Sequence, residues 1–182
     1  MTTSITDAQV RSFYGKYRGT VVQNVDPLLR GRLMLLVPDV TGDAPTSWAE
    51  ACVPLAGATG LPMGVFMVPP VGAGVWVEFE QGDASRPIWV GCRWGAATDV
   101  PPLALLGNPA SPNICMQTQM QHSLLLSDAP PSPVTGGIVL KSALGATLIV
   151  NDAGIFISNG KGASITLVGP TVNINLGALT VT

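Results

Sequence analysis

The sequence predicts an all-β chain in two parts, a small closed barrel followed by a repetitive needle, with one short helix at the N-terminus. Three observations carry that reading. Of 182 residues, 21 are Gly and 16 are Pro, and the runs between these breakers are short and apolar at alternate positions, the period of a half-buried strand. The last third repeats itself, and internal periodicity is the first guide to architecture in such a tail. Only one segment has a helical look. Thr6 or Asp7 stands where a cap is wanted, and Val10, Phe13 and Tyr14 then share one face of a helix ending at Phe13 or Tyr14.

Strand signals follow in order. Residues 17–25 read YRGTVVQNV, and 32–37 read RLMLLV after the turn-forming DPLLRG of 26–31. Further runs are 48–54, 64–68, 75–80 and 87–91. In 75–80, Val75, Val77 and Phe79 share one face, and Trp76 lies with the acids on the other. Five or six short strands within roughly 80 residues suit a small closed barrel. Residues 95–112, GAATDVPPLALLGNPASP, form the clearest boundary in the chain. Strands resume at 114–118 and 122–127, and a second Pro-rich turn covers 128–133. The expected division is an N-terminal segment 1–15, a barrel 16–95, a linker 96–112 and a needle 113–182.

The needle is read from its repeat. GIVLKSALGATLIVNDA begins at Gly137 and GIFISNGKGASITLVGP at Gly154, a 17-residue period, and TVNINLGALTVT follows from Thr171. Ile138 and Leu140 correspond to Ile155 and Ile157, then to Val172 and Ile174. Leu148 and Val150 correspond to Ile165 and Leu167, and Leu179 and Val181 fill that place in the tightened third block. Each period holds two short strands with one apolar face and one face of Thr, Ser, Asn or small residues. A single chain wound this thinly encloses almost no interior, and ordering it costs about 1–2 kcal/mol per residue. Three copies around one axis solve the problem, because the twelve alternating Ile, Leu and Val residues then meet in a shared core and strand edges find partners. The competing reading is a set of ordinary hairpins packed on the barrel, but hairpins need no repeat.

Composition agrees. Hydrophobic residues make up 47% and charged residues 11%, against roughly 25% charged in ordinary globular chains. No apolar run approaches the roughly 18–20 residues that span a bilayer, so the apolar surface must be buried by protein, some of it between chains. A net charge of −2 without a basic cluster argues against nucleic acid as a partner. The first 19 residues lack the apolar core of a secretory leader. The three cysteines, Cys52, Cys92 and Cys115, have no metal-ligand spacing. The expected site of assembly is therefore a reducing cytoplasm.

No chemistry-bearing constellation stands out, and no enzyme, metal or cofactor is expected. His122 is the only histidine; one copy cannot hold a metal, although three on a threefold axis could, and a structural turn residue is the simpler reading. Glu78, Glu80 and Asp83 lie on one strand and its turn, which suits surface ion pairs, with Arg86 and Asp83 paired across the turn. Gly72-Ala73-Gly74 leads into a strand and is a turn, not a phosphate loop. Trp48, Trp76, Trp89 and Trp94 could stack bases, but without a basic groove they read as packing residues. The cysteines read as buried small apolar residues.

The chain resembles the central spike proteins of contractile injection machines: phage baseplate assembly protein V and related spikes, and the C-terminal parts of type VI secretion VgrG proteins. The resemblance lies in YRGTVV at 17–22, Asp26-Pro27, Gly31-Arg32-Leu33, WAEA at 48–51, PLAG at 54–57, PPVG at 69–72, VWVEFEQGD at 75–83 and RPIWVG at 86–91. It continues through 114–128, with Gln121-His122-Ser123 near the family's Gly-His step, and into the repeats. It implies an OB-fold barrel followed by an intertwined triple-stranded β-helix, as a homotrimer at the tip of the tail tube. That spike would pierce the target membrane when the sheath contracts, and its place would be the tail baseplate of a phage or a tail-like particle. Only about 15 residues precede the barrel, so the resemblance implies a separate hub protein, met by Val10, Phe13 and Tyr14. The connector is too short for an inserted cell-wall hydrolase. The last residues, Leu179, Thr180, Val181 and Thr182, offer no metal ligands of the kind that close some short spikes, so a PAAR-type tip protein is expected to contact them. The alternative function is an OB-fold binding module on a trimeric fibre tail, such as an adhesin or receptor-binding protein.

Overall fold

The computed structural model describes residues 11–57 and 60–181. Its contacts divide the chain into two compact units, Met1–Gly95 and Ala96–Thr182. In both, the regular secondary structure is mostly strand.

The first unit contains β1 (Tyr17–Gln23), β2 (Met34–Leu36), a one-turn helix α1 (Pro38–Thr41), β3 (Glu50–Ala51), β4 (Ala56–Gly57), β5 (Met63–Gly64), β6 (Gly74–Phe79) and β7 (Pro87–Arg93). The sheet order is β2-β1-β6-β7-β3, antiparallel except for the β3–β7 pair. Its two edges meet: Leu33 and Ala49 exchange backbone hydrogen bonds of 3.1 and 2.7 Å, which closes the sheet into a barrel. The interior holds Val21, Leu33, Leu35, Val37, Val75, Val77, Phe79 and Trp89. Val75, Val77 and Phe79 face inward and Trp76 and Glu78 outward, as the alternation in the sequence dictates. Gly19 makes room for this core, since a Cβ there would stand 2.8 Å from a methyl of Val77.

Two local expectations change. The first part of the predicted N-terminal helix, up to residue 10, lies outside the described residues, and its second part, 11–14, is not helical. Instead the Phe13 N–H donates to the Gly82 carbonyl at 2.9 Å. The Phe13 ring packs 6.2 Å from Tyr17 and 6.0 Å from Phe79, so tertiary packing draws the segment out along the barrel. The run 64–68 is a strand only at its start, because the register with β4 sets Pro54, which cannot donate to a ladder, opposite Phe66.

The second unit is one eight-stranded antiparallel meander in chain order. Its strands are β8 (Ile114–Gln117), β9 (Ser123–Ser127), β10 (Gly137–Lys141), β11 (Thr147–Asn151), β12 (Gly154–Ser158), β13 (Ser164–Val168), β14 (Thr171–Ile174) and β15 (Leu179–Val181). Gly137 and Gly154, one period apart, open β10 and β12 with φ of +77° and +150°. A Cβ at either would meet a neighbouring carbonyl oxygen, of Val150 or of Leu167, at 2.2 or 2.3 Å. Residues 96–112 are not a bare tether: Leu103 packs on this sheet, and Asn113 Nδ2 donates to the carbonyls of Leu103 and Leu106.

Candidate functional site

The register of the meander places all twelve repeat residues on one face in two straight rows. One row runs Ile138, Val150, Ile155, Leu167, Val172, Val181, and the other Leu140, Leu148, Ile157, Ile165, Ile174, Leu179. Each is directly opposite its neighbour across a strand pair. The rows extend to positions that the repeat does not reach: Leu126 and Ile114 continue the first, Leu124 and Met116 the second. None of these side chains is buried in the single chain. The alternating pattern of 114–117 and 123–127 was the signal for these four, but outside the 17-residue period nothing assigned their face.

The opposite face departs from the expected Thr, Ser, Asn or small residues: in its upper part it is apolar and buried. Its central row is Cys115, Leu125, Val139, Ile149 and Phe156, followed by Thr166 and Asn173. Leu125, Val139, Ile149 and Phe156 are buried, with Leu103 and Ala153 packed on them. Burial pushes the Cys115 thiol above its ordinary pKa. Beyond Phe156 this row turns polar, so the sheet has a covered upper part and a bare lower part on this side, and an apolar face throughout on the other.

In the barrel the most developed polar cluster is centred on Asp26. Its carboxylate accepts from the backbone N–H of Leu28, Arg30 and Arg32 and from the Arg32 guanidinium, at 2.7 to 3.3 Å. The Arg32 guanidinium is the largest cause that holds the Asp26 carboxyl far below its ordinary pKa, with the backbone donors adding to it. Arg32 also lies 5.5 Å above the Trp48 ring, and Trp89 Nε1 donates to the Gly31 carbonyl at 3.1 Å. The cluster shapes the turn 26–31 and ties it, through Gly31, to Trp89 of the core.

The remaining candidates take structural places. Trp89 is in the core, Trp48 lies under Arg32 and Trp94 is exposed, so the four tryptophans share no stacking face. Glu78 pairs with Lys16. Arg86 pairs with Glu80, not with Asp83, because the Glu80 N–H donates to the Arg86 carbonyl and sets those two residues opposite each other. Asp83 instead accepts from the N–H and hydroxyl of Ser85, which lower its pKa. A shallow cleft of about 340 Å³ beside Trp48 holds Glu50 and Glu80, and both are already in ion pairs. His122 closes the β8–β9 turn, its Nδ1 accepting from the Ala143 N–H at 3.4 Å. Cys52 and Cys92 are exposed, against the expectation of burial. Among the described residues no three His, Cys, Asp or Glu come together as a metal site. Of the expected hub residues, Phe13 belongs to the barrel packing, Tyr14 is 72% exposed, and Val10 lies outside the described residues. Leu179 and Val181 are exposed on the last strand, and Thr182 is not among the described residues.

A closed five-stranded barrel followed by a sheet with an uncovered aliphatic face defines a self-associating structural protein. Family comparisons agree for both halves. Residues 17–94 match the type VI secretion system/phage-baseplate injector OB domain, and residues 113–180 match the phage baseplate V C-terminal trimerisation domain. The chain belongs to the phage baseplate V family of injector spike proteins. It is a structural, self-associating component of the tail baseplate. No curated protein matches it.

Proposed function

We propose that three copies form the central spike of a contractile injection machine, that the spike docks to a separate hub, and that sheath contraction drives it through the target envelope. The observation that carries this is the pair of unbroken aliphatic rows on one face of the meander. Three such faces turned inward bury Ile138, Leu140, Leu148, Val150, Ile155, Ile157, Ile165, Leu167, Val172, Ile174, Leu179 and Val181 in one core. The opposite faces, apolar and covered by Leu103 in their upper part and carrying Lys141, Thr166 and Asn173, then form the outside.

Two features support a piercing role. Eight strands at the usual strand spacing of about 4.8 Å give a shaft about 34 Å long, comparable with the roughly 30 Å hydrocarbon layer of a bilayer. Residues 162–182 contain no Asp, Glu, Lys, Arg or His, so the far end carries no side-chain charge into an apolar medium. β15 is the outermost strand of the sheet among the described residues, and a PAAR-type tip protein would rest on Leu179–Val181. Docking to the hub falls to Val10 and Tyr14, since Phe13 is engaged in the barrel.

The test is solution mass in mild denaturant. A trimer of 18.8 kDa chains that persists there is expected; a clean monomer would sink the proposal. An image of the assembled particle with no density beyond the needle would remove the tip protein from it.

A further inference from the structure

The meander holds few charges, and its fold sorts them by sign. Residues 113–182 contain two lysines, Lys141 and Lys161, two aspartates, Asp128 and Asp152, and neither Arg nor Glu. In a meander the turns lie alternately at the two ends of the strands. At one end are the turns 118–122, 142–146 and 159–163, and at the other are 128–136, 152–153 and 169–170. Lys141 is the last residue of β10, beside the turn 142–146, and Lys161 lies in the turn 159–163. Asp128 and Asp152 lie in the turns 128–136 and 152–153. One edge of the sheet therefore carries only cations, with His122 also on it, and the other carries only anions.

Each edge is a continuous column. On the cationic side the turn at Gly160 sits against the one at Gly145, since a Cβ on Gly160 would stand 2.7 Å from the Gly145 carbonyl carbon. On the anionic side Asn151 Nδ2 donates to the carbonyls of Ser132, Thr135 and Gly136, which ties the end of β11 to the loop before β10. All four charged residues are exposed, and none is in an ion pair among the described residues. Asp128 accepts from the Ser111 hydroxyl at 2.6 Å, which leaves its charge unneutralised. Opposite charges cannot meet within one chain, because strands of five residues at about 3.4 Å each hold the edges roughly 17 Å apart. The two lysines, by contrast, stand on one edge about two strand spacings, or roughly 10 Å, from each other.

We propose that the two edges are complementary halves of one interface, in which Lys161 of one copy pairs with Asp152 of the next, and Lys141 with Asp128. The inference rests on the trimeric reading given above. The aliphatic rows run along the ladder, so a shared axis does too, and the turn-lined edges are the sides on which neighbouring copies meet. An edge set against its own copy would put lysine on lysine or aspartate on aspartate. Edges joined head to tail put lysine on aspartate, and contacts of that kind close into a ring. Around a threefold axis equivalent residues stand at equal height. Lys161 follows β12 and Asp152 follows β11, while Lys141 ends β10 and Asp128 follows β9. Each pair is therefore offset by one strand spacing, about 4.8 Å, within reach of the flexible lysine stem. Exposed ion pairs add little to stability; their part here is to select which sides meet and to speed the encounter.

The experiment uses the full chain. Lys141→Asp with Lys161→Asp makes both edges anionic, Asp128→Lys with Asp152→Lys makes both cationic, and all four together exchange the edges. Trimer assembly is followed after dilution from denaturant in ~10 mM salt, where screening is weak. Each one-edge variant is expected to assemble about 10-fold or more slower than wild type, and the exchanged chain to return to within roughly 3-fold of it. The differences should fade in ~1 M salt. One-edge variants as fast as wild type, or an exchanged chain as slow as they are, overturn the edge pairing while the trimer stands. Where a reversed edge impairs folding, proximity decides. With Cys52 and Cys92, the exposed cysteines, replaced by Ser, a chain carrying Lys161→Cys and Asp152→Cys should be joined by a short bis-maleimide into covalent trimers. An intact trimer without such links overturns the pairing. A monomeric wild type overturns the trimeric reading itself, and the pairing with it.

Discussion

At the scale of single residues, Asp26 shows how a polar side chain fixes a local shape that propensity leaves open. The motif Asp26-Pro27 followed by Gly31-Arg32 signals a turn. It does not say that one carboxylate will hold three backbone donors and a guanidinium, because that depends on the sheet bringing Arg32 back over the turn. The consequence is a pH dependence of known sign. The folded-state pKa of Asp26 is depressed, so its contribution to stability is complete above the ordinary carboxylate value near 3.8 and drains away as pH falls below it toward the native value. Urea unfolding of Asp26→Asn should show lower stability than wild type at pH 7, and the difference should shrink by pH 2. A constant difference would mean that the carboxylate charge is not what matters. Phe13 teaches the converse: its apolar side chain was legible as part of a sticky face, but whether that face serves the barrel or a partner is decided by Tyr17 and Phe79 standing beside it.

At the scale of elements, the period-2 alternation and the 17-residue period together assign the twelve aliphatic repeat side chains to one face, and the register places them there, whereas the opposite face is apolar at Val139, Ile149 and Phe156 and not the expected polar one. The assignment gives a sharp contrast. Ile157 lies in the aliphatic row and Lys141 on the opposite face, and both are exposed in the single chain. If the rows form a shared core, Ile157→Ala should destabilise the trimer by about 2–5 kcal/mol per chain, three times over, whereas Lys141→Ala should stay within roughly 0.5 kcal/mol. Thermal melts of the two trimers read this directly, and similar melting points would argue that the rows face solvent. The boundaries of elements were less legible. The run 64–68 has strand-forming side chains, but its register sets Pro54 of the partner strand, which has no N–H, opposite Phe66, and residues 96–112 have linker composition yet carry Leu103, which packs on the upper sheet.

At the scale of the whole molecule, the two units have separate hydrophobic cores, and only the second carries the trimerisation match. A chain ended after Trp94 should therefore fold as a barrel but run as a monomer at micromolar concentration in sedimentation. A stable trimer from that fragment would move the site of assembly into the barrel.

The sequence by itself determined the all-β class, the closed barrel, the repetitive sheet and the face on which its aliphatic side chains lie. These follow from alternation along one strand and from a repeat, both short-range properties of the chain. Tertiary structure alone decided which distant residues meet. It placed Phe13 against Phe79 and Arg86 against Glu80, spread Leu103 over Ile149 and its neighbours, and joined Phe66 to the turn at Gly31. The physical reason is that a side chain's face is set by its neighbours two residues away, whereas its partner is set by where the closed sheet returns the chain.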